Sequence, residues 1–263
     1  MIIGVILLIH GNLVPLRSKN LKGGRSLYSG PRSTLNSLGD IQPLKLPVGV
    51  DEAGRGSLAG PVVAASFPLL YLPQIFITDS KKIKGDEREE IFNYLLKERF
   101  PFGVGVVSNE FIDREGILSA TFEAMRLSTL PFLYKKELDV KTHKMISLDE
   151  LLQEAVKSYE NYSAFFPERM FISNILIVVD GNSIFTESIP LVSMIKGDEK
   201  VSLISFASVV AKVVRDRIMR KLSEEIKEYG WDRNKGYGTR KHFKAIEKYG
   251  LSMYHRRSFL DKR

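Results

Sequence analysis

The sequence predicts an α/β domain. Two observations carry that reading: short apolar, β-branched runs at residues 60–67, 102–107 and 175–179, and longer segments between them with apolar residues at helical spacing. Gly or Pro marks several of the changeovers. The chain has 263 residues, 44% of them hydrophobic, enough to bury one large core. It has no cysteine, which excludes disulfides, thiolate zinc sites and a cysteine nucleophile, and fits a reducing compartment.

The elements follow in order. Residues 1–9 are an apolar run too short to span a bilayer, without the leading charge or cleavage site of a secretory signal; they read as a short strand or a tail. Residues 10–45 are rich in Gly, Ser, Asn, Pro and basic side chains, and residues 1–45 as a whole are expected to be irregular or disordered. The folded domain is placed at 46–263, opening with a strand in which Val48 and Val50 alternate about Gly49. Residues 60–67 are a buried strand. A helix runs from Asp86 to about Arg99 with Ile91, Leu95 and Leu96 on one face, stopped by Pro101. Residues 102–107 are a strand, and 109–130 one or two helices, with Ile117, Ala120, Ala124 and Leu127 toward the core. Residues 131–170 break the pattern and are expected to be a surface insertion, with an amphipathic helix within 151–162. Residues 175–179 have the continuous apolar character of a central strand covered on both faces. A short strand follows at 189–195, then a long helix at 202–229 stopped by Gly230, and a last helix at 239–249 stopped by Gly250. The part from about 220 is thus a helical extension.

The net charge of +8 is unevenly spread. Residues 196–263 carry a net +9, residues 1–47 a net +5, and the middle a net −6. Basic ends around an acidic middle suit a polyanionic partner, although solubility alone explains charge equally well.

Three strands end in acids: one at Asp51-Glu52, one at Asp180-Gly181, one at Lys196-Gly197-Asp198. Sites in open α/β sheets form at strand ends. Each acid has an ordinary alternative: a solvated turn for Asp51 and Glu52, a turn aspartate before glycine for Asp180, a helix N-terminal charge for Asp198. Their recurrence favours a shared site. Carboxylates brought together there repel one another unless a cation neutralises them, and oxygen ligands suit Mg²⁺ or Mn²⁺. His10, His143, His242 and His255 show no zinc spacing. Two hard ions about 4 Å apart can activate a water and stabilise a leaving oxygen in phosphodiester hydrolysis. The turn Gly54-Arg55-Gly56 lets a ligand approach the main chain and adds one phosphate-binding cation.

The stretch Asp51-Glu52-Ala53-Gly54-Arg55-Gly56, with Leu58-Ala59-Gly60-Pro61-Val62-Val63-Ala64-Ala65 behind it, resembles the signature of bacterial ribonuclease HII. Asp79-Ser80-Lys81-Lys82, Asp180-Gly181-Asn182, Lys196-Gly197-Asp198, the block from Ala207 to Arg217, and Gly236-Tyr237-Gly238-Thr239 match later blocks in the same order. The resemblance implies an RNase H-like mixed sheet flanked by helices. It also implies an enzyme that hydrolyses the RNA strand of RNA–DNA hybrids and cuts 5′ of single ribonucleotides in duplex DNA, leaving a 3′-hydroxyl and a 5′-phosphate. By the same resemblance Asp51, Glu52, Asp180 and Asp198 are the catalytic, metal-binding carboxylates for Mg²⁺ or Mn²⁺, two ions during catalysis. Asp216 is a weaker candidate, better read as a helix-surface ion pair. Gly54, Arg55 and Gly56 become the ribose sensor, Tyr237 the ring that packs on the sugar, and Lys81, Lys82 and Lys196 phosphate contacts or plain solvated lysines.

The chain departs from that pattern in its long 131–170 segment, in its first 45 residues, and at Gly238, where a proline is common and whose absence is expected to loosen Tyr237. The expected protein is a cytoplasmic monomer with no membrane contact. The alternatives are a ribonuclease HIII-type nuclease and a catalytically inactive nucleic-acid-binding module. The first usually lacks the arginine in its glycine turn; the second has no need for four acids at strand ends.

Overall fold

The structure is a computed structural model that describes residues 5–9, 12–16, 45–70, 73, 83–133, 144–157, 161–166, 175–181 and 190–260. Strands β1 (Val5–Ile9) and β2 (Asn12–Leu16) form an antiparallel hairpin, so the apolar start of the chain is a strand and its partner falls within the segment expected to be irregular.

The domain is built on a mixed seven-stranded sheet. In chain order its strands are β3 (Leu46–Ala53), β4 (Val62–Pro68), β5 (Phe102–Val107), β6 (Lys144–Ile146), β7 (Tyr162–Phe166), β8 (Ile175–Asp180) and β9 (Leu191–Met194). Their spatial order is β6-β7-β5-β4-β3-β8-β9. β3 lies inside the sheet, antiparallel to β4 and parallel to β8. The helices are α1 (Gly85–Lys97), α2 (Asn109–Glu115), α3 (Ile117–Leu133), α4 (Leu148–Lys157), α5 (Gly197–Lys200), α6 (Ser202–Glu225), α7 (Trp231–Asn234), α8 (Arg240–Tyr249) and α9 (Arg257–Leu260).

Strand alternation divides the core. Val48, Val50, Ile177 and Val179 face α3, where Ala120, Ala124 and Leu127 cover them. Ala53, Leu176 and Val178 face α6, against Leu203, Phe206 and Val210. Glycines let both helices come close. A Cβ on Gly49 would stand 2.5 Å from the Leu203 carbonyl carbon and 2.6 Å from the Ile204 nitrogen, and one on Gly103 would stand 1.9 Å from the Ser128 oxygen. Backbone cannot move aside cheaply, so Gly49→Ala is expected to cost about 3 kcal/mol and lower Tm by roughly 10 °C. A thermal melt within 2 °C of wild type, roughly 1 kcal/mol, would show that α6 is free to shift.

The structure departs from the sequence expectations in four places. The 109–130 region is two helices, one of the two expected outcomes, broken at Gly116 (φ 83°), but α3 runs on through Pro131 instead of ending before it. Residues 131–170 supply β6, α4 and β7, with Leu148, Leu151 and Leu152 in the core, so much of this segment is integral to the sheet. The helix expected within 151–162 starts at Leu148 and ends at Lys157, and a strand begins at Tyr162. The long helix stops at Glu225; a 3-10 turn (Lys227–Tyr229) and α7 follow, with Gly230 (φ 63°) between them. Among the described residues no helix is long and apolar enough to cross a membrane.

Candidate active site

Asp51 and Asp180 lie on the same face of the sheet. Alternation puts Asp51 with Gly49 on the α6 side, and Asp180 with Leu176 and Val178 on that side too. The register pairs Val50 with Val179, so the two acids are one residue further along adjacent parallel strands. Glu52 follows on the strand's last turn of the pleat, where β3 ends at Ala53. Asp51 is buried, and burial pushes its pKa from 3.8 to about 7. The charges of Glu52 and Asp180 add to that rise, while a Ser208 hydrogen bond and the Lys212 ammonium oppose it. Burial also raises Glu52, and Asp180 adds to the effect; Arg55, whose Nη1 donates to Glu52 Oε1 at 3.2 Å, counters it.

The third strand end joins through its backbone. The Gly197 N–H donates to Asp180 Oδ1 at 2.7 Å, and Asp198, the next residue, is buried in the first turn of α5. Ser205 Oγ on α6 donates to the Asp198 carbonyl at 2.6 Å, fixing that turn. Among the described residues, no three Asp, Glu, His or Cys side chains close tightly enough around one point to enclose a metal ion. The donor chemistry still fits a hard divalent cation: carboxylate oxygens only, crowded and desolvated, with Arg55 and Lys212 offsetting only part of their charge. Asp216 sits half-buried on α6. Burial raises its pKa, and its charged neighbours are Lys235, Arg215, Arg88 and Arg220 rather than the three acids.

Behind Asp51, α6 presents Ser208 and Lys212, whose Nζ donates to Ser208 Oγ at 2.7 Å, and further along the helix Arg215 donates to the Pro61 carbonyl and Ser57 Oγ. These side chains were not singled out from the sequence. The signal was available: polar residues spaced four and three apart on an otherwise apolar helix stripe. Lys81 and Lys82 lie outside the described residues. Lys196 is exposed, has φ 57°, and pairs with Glu199 at 3.5 Å.

The C-terminal part folds back over the turn after the acids. Leu58 N–H donates to the Gly236 carbonyl (2.8 Å), Gly60 N–H to Tyr254 (2.9 Å), and Arg256 N–H to Leu58 (2.8 Å). This places Tyr237, 43% exposed, beside Ser57, with the buried Arg215 guanidinium 5.5 Å from its ring centre. At Gly238, where looseness is expected, the Tyr237 carbonyl accepts from the Thr239 N–H (2.8 Å) and from His242 Nδ1 (3.0 Å), two bonds that hold the turn.

Comparison with known proteins decides the family: residues 48–262 match the family model of ribonuclease HII. The chain belongs to the ribonuclease HII family. Relatives named ribonuclease HII include one from Pelagibacter ubique, 35% identical over 82% of this chain and 96% of its own length. Others come from Acetivibrio thermocellus (38%, covering 82% and 70%) and Chlamydia muridarum (38%, covering 80% of each chain). The fold matches that of the Archaeoglobus fulgidus enzyme solved as a PCNA:RNase HII complex, with TM-score 0.51 and 20% identity over 80% of this chain and 93% of that one. It also matches ribonuclease H2 from Pyrococcus horikoshii, with TM-score 0.51 and 22% identity over 81% and 93%. As a ribonuclease HII family member the chain is an RNase H-type endonuclease with the mixed sheet and helical C-terminal part that the sequence led one to expect.

Under Tyr237 lies a buried pair of histidines with one consistent tautomer set. Trp231 Nε1 donates to His242 Nε2 (3.1 Å), so His242 carries its proton on Nδ1 and donates to the Tyr237 carbonyl. Ser252 N–H donates to His255 Nδ1 (2.9 Å), so His255 donates from Nε2 to His242 Nε2 (3.1 Å). Burial lowers both pKa values, His255 to about 4 with the charge of His242 adding. A depressed histidine contributes stability that is complete above its unfolded value of 6.5 and is lost as pH falls toward the folded one. His255 alone is expected to cost about 2 kcal/mol between pH 7 and pH 5, read by urea unfolding. A His255→Gln protein with the same loss would move its origin elsewhere.

Proposed function

We propose that the protein is a metal-dependent endoribonuclease that hydrolyses the RNA strand of RNA–DNA hybrids and cuts 5′ of a single ribonucleotide in duplex DNA. The products are a 3′-hydroxyl and a 5′-phosphate. The observation that carries the reading is the buried Asp51 with the half-buried Glu52 and Asp180, whose charges oppose one another, beside a turn in which Arg55 and Gly56 are exposed.

Asp51, Glu52, Asp180 and Asp198 would hold Mg²⁺ or Mn²⁺, two ions during turnover. When bound, such ions supply an acidified water and positive charge at the leaving oxygen. The chain's own groups do the rest. Ser208 and Lys212 orient the Asp51 carboxylate through their hydrogen-bonded pair. Arg55 balances Glu52 and presents its cation to phosphate. The amides of Arg55 and Gly56 meet the ribose 2′-hydroxyl, the group that separates RNA from DNA. Tyr237, half open and carried on Arg215, packs against the sugar at the junction. Lys81, Lys82 and Lys196 contact the phosphate backbone. The enzyme works as a monomer in the cytoplasm, where these substrates are found.

The test is an end-labelled DNA duplex containing one ribonucleotide, incubated with Mg²⁺ or Mn²⁺. One cut 5′ to the ribonucleotide is expected, abolished by chelator. Equal cutting of an all-DNA duplex removes the ribose-sensing role. Binding without cutting supports an inactive binding module, and an intact single-ribonucleotide duplex beside a cleaved long hybrid supports a ribonuclease HIII-type enzyme.

A further inference from the structure

Arg256 is fully buried, and it contacts the Gly54–Arg55 turn that follows the acids. Its Nη1 donates to the carbonyls of Gly54 (2.8 Å) and Arg55 (3.1 Å), Nε to Gly60 (2.9 Å) and Nη2 to Pro61 (3.0 Å). All four acceptors are main-chain carbonyls. In a trans peptide the N–H points opposite to the carbonyl of the same unit. Holding the Gly54 and Arg55 carbonyls inward therefore turns the N–H groups of Arg55 and Gly56 outward. Both residues are exposed, and a Cβ on Gly56 would meet nothing within 4 Å, so a ligand can reach those amides. Arg256 is itself pinned. The Arg257 and Ser258 N–H groups both donate to Asp113 on α2 at 3.0 Å, and the guanidinium lies 5.3 Å from the Phe259 ring centre.

We propose that Arg256 is a positioning residue for ribose recognition, fixing the outward pair of amides that meets the 2′-hydroxyl. The inference rests on the ribose-sensing role proposed above. A purely structural guanidinium could satisfy any nearby carbonyls; two of these four belong to the sensing turn, so the fork sets the direction of the sensing amides. Lysine retains the charge but offers one compact ammonium in place of a planar fork.

The test reads preference rather than rate. Dissociation constants are measured for a duplex with one ribonucleotide and for the same duplex in all-DNA form, using Asp51→Asn protein with Mg²⁺ so that binding is read without cutting. The Asp51→Asn protein is expected to prefer the ribonucleotide duplex. Adding Arg256→Lys is expected to shrink that preference about tenfold, the scale of a buried hydrogen bond left unmade, while all-DNA affinity changes by less than about twofold. An unchanged preference in folded Arg256→Lys protein overturns the proposal. Phe259→Leu leaves every donor in place but removes the ring beside the guanidinium, and is expected to shrink the preference about threefold. If Arg256→Lys fails to fold, an unchanged preference in Phe259→Leu overturns the proposal instead. Absence of any preference in the Asp51→Asn protein before either change is made is a failure of the ribose-sensing role itself, and so is told apart from a failure of Arg256.

Discussion

Asp51→Asn is expected to lower the cleavage rate by about a thousandfold or more while making the metal-free protein more stable at neutral pH. The two effects share one cause. Burial and the charges of Glu52 and Asp180 hold the Asp51 carboxyl at about 7 against its usual 3.8. An acid raised in the folded state contributes a cost that begins above the unfolded pKa and is complete above the folded one. Roughly three pH units correspond to about 4 kcal/mol, an upper figure because Ser208 and Glu52 readjust once the charge is gone. Asparagine is nearly isosteric, cannot ionise and can still bond Ser208. In chelator, urea unfolding of variant and wild type should therefore differ most at pH 8 and by less than half as much at pH 5. With Mg²⁺ the order narrows or reverses, because an ion that binds only the wild-type site stabilises only wild type. A gap that does not change with pH would show that the carboxylate is solvated in the folded protein.

Arg215→Met is expected to cost about 4 kcal/mol and to raise KM for a ribonucleotide-containing duplex. Replacing a buried charge by an apolar side chain is often harmless when its partners are replaced too. Here the partners cannot be replaced. Nε donates to the Pro61 carbonyl (3.0 Å), Nη1 to Lys235 (2.9 Å) and Nη2 to Ser57 Oγ (2.8 Å); with methionine the Lys235 carbonyl and Ser57 Oγ lose this donor, while Pro61 keeps the bond from Arg256 Nη2. The Tyr237 ring also loses the cation beneath it. The comparison that isolates Arg215 is with Arg217→Met. Arg217 pairs with Glu89 at 2.6 Å on the half-exposed side of the same helix, and its loss is expected to cost about 1 kcal/mol. Similar losses in both variants would mean that water reaches the Arg215 carbonyls.

Several elements were legible because their cause is local. Residues 175–179 read as a covered central strand, and β8 is buried along its apolar length. Gly250 stopped α8 where expected, with φ 77°, and Thr239 capped its start through the His242 N–H. The 131–170 segment was legible only in its amphipathic helix, which is α4. A three-residue strand such as β6 has too few residues to show a period, and it is set by the parallel pairing of Lys144–Ile146 with β7. The end of α6 was misjudged because Gly230 is a strong stop signal, whereas the helix already yields at Ile226 to let Tyr229 and Trp231 turn into the core.

By itself the sequence determined what is covalently adjacent: acids at the ends of apolar runs, and a glycine-arginine-glycine turn joined directly to Asp51-Glu52. Period-2 alternation and the conformational freedom of glycine act within a few residues, so these parts needed no tertiary context. Only the tertiary structure decided which distant groups support them. Gly54 and the Arg256 that holds its carbonyl are 202 residues apart. Asp51 meets Ser208 and Lys212 because Gly49 lets α6 lie directly on β3. A buried arginine is indistinguishable in sequence from a solvated one; its meaning comes from the unmatched carbonyls that the folded chain places around it.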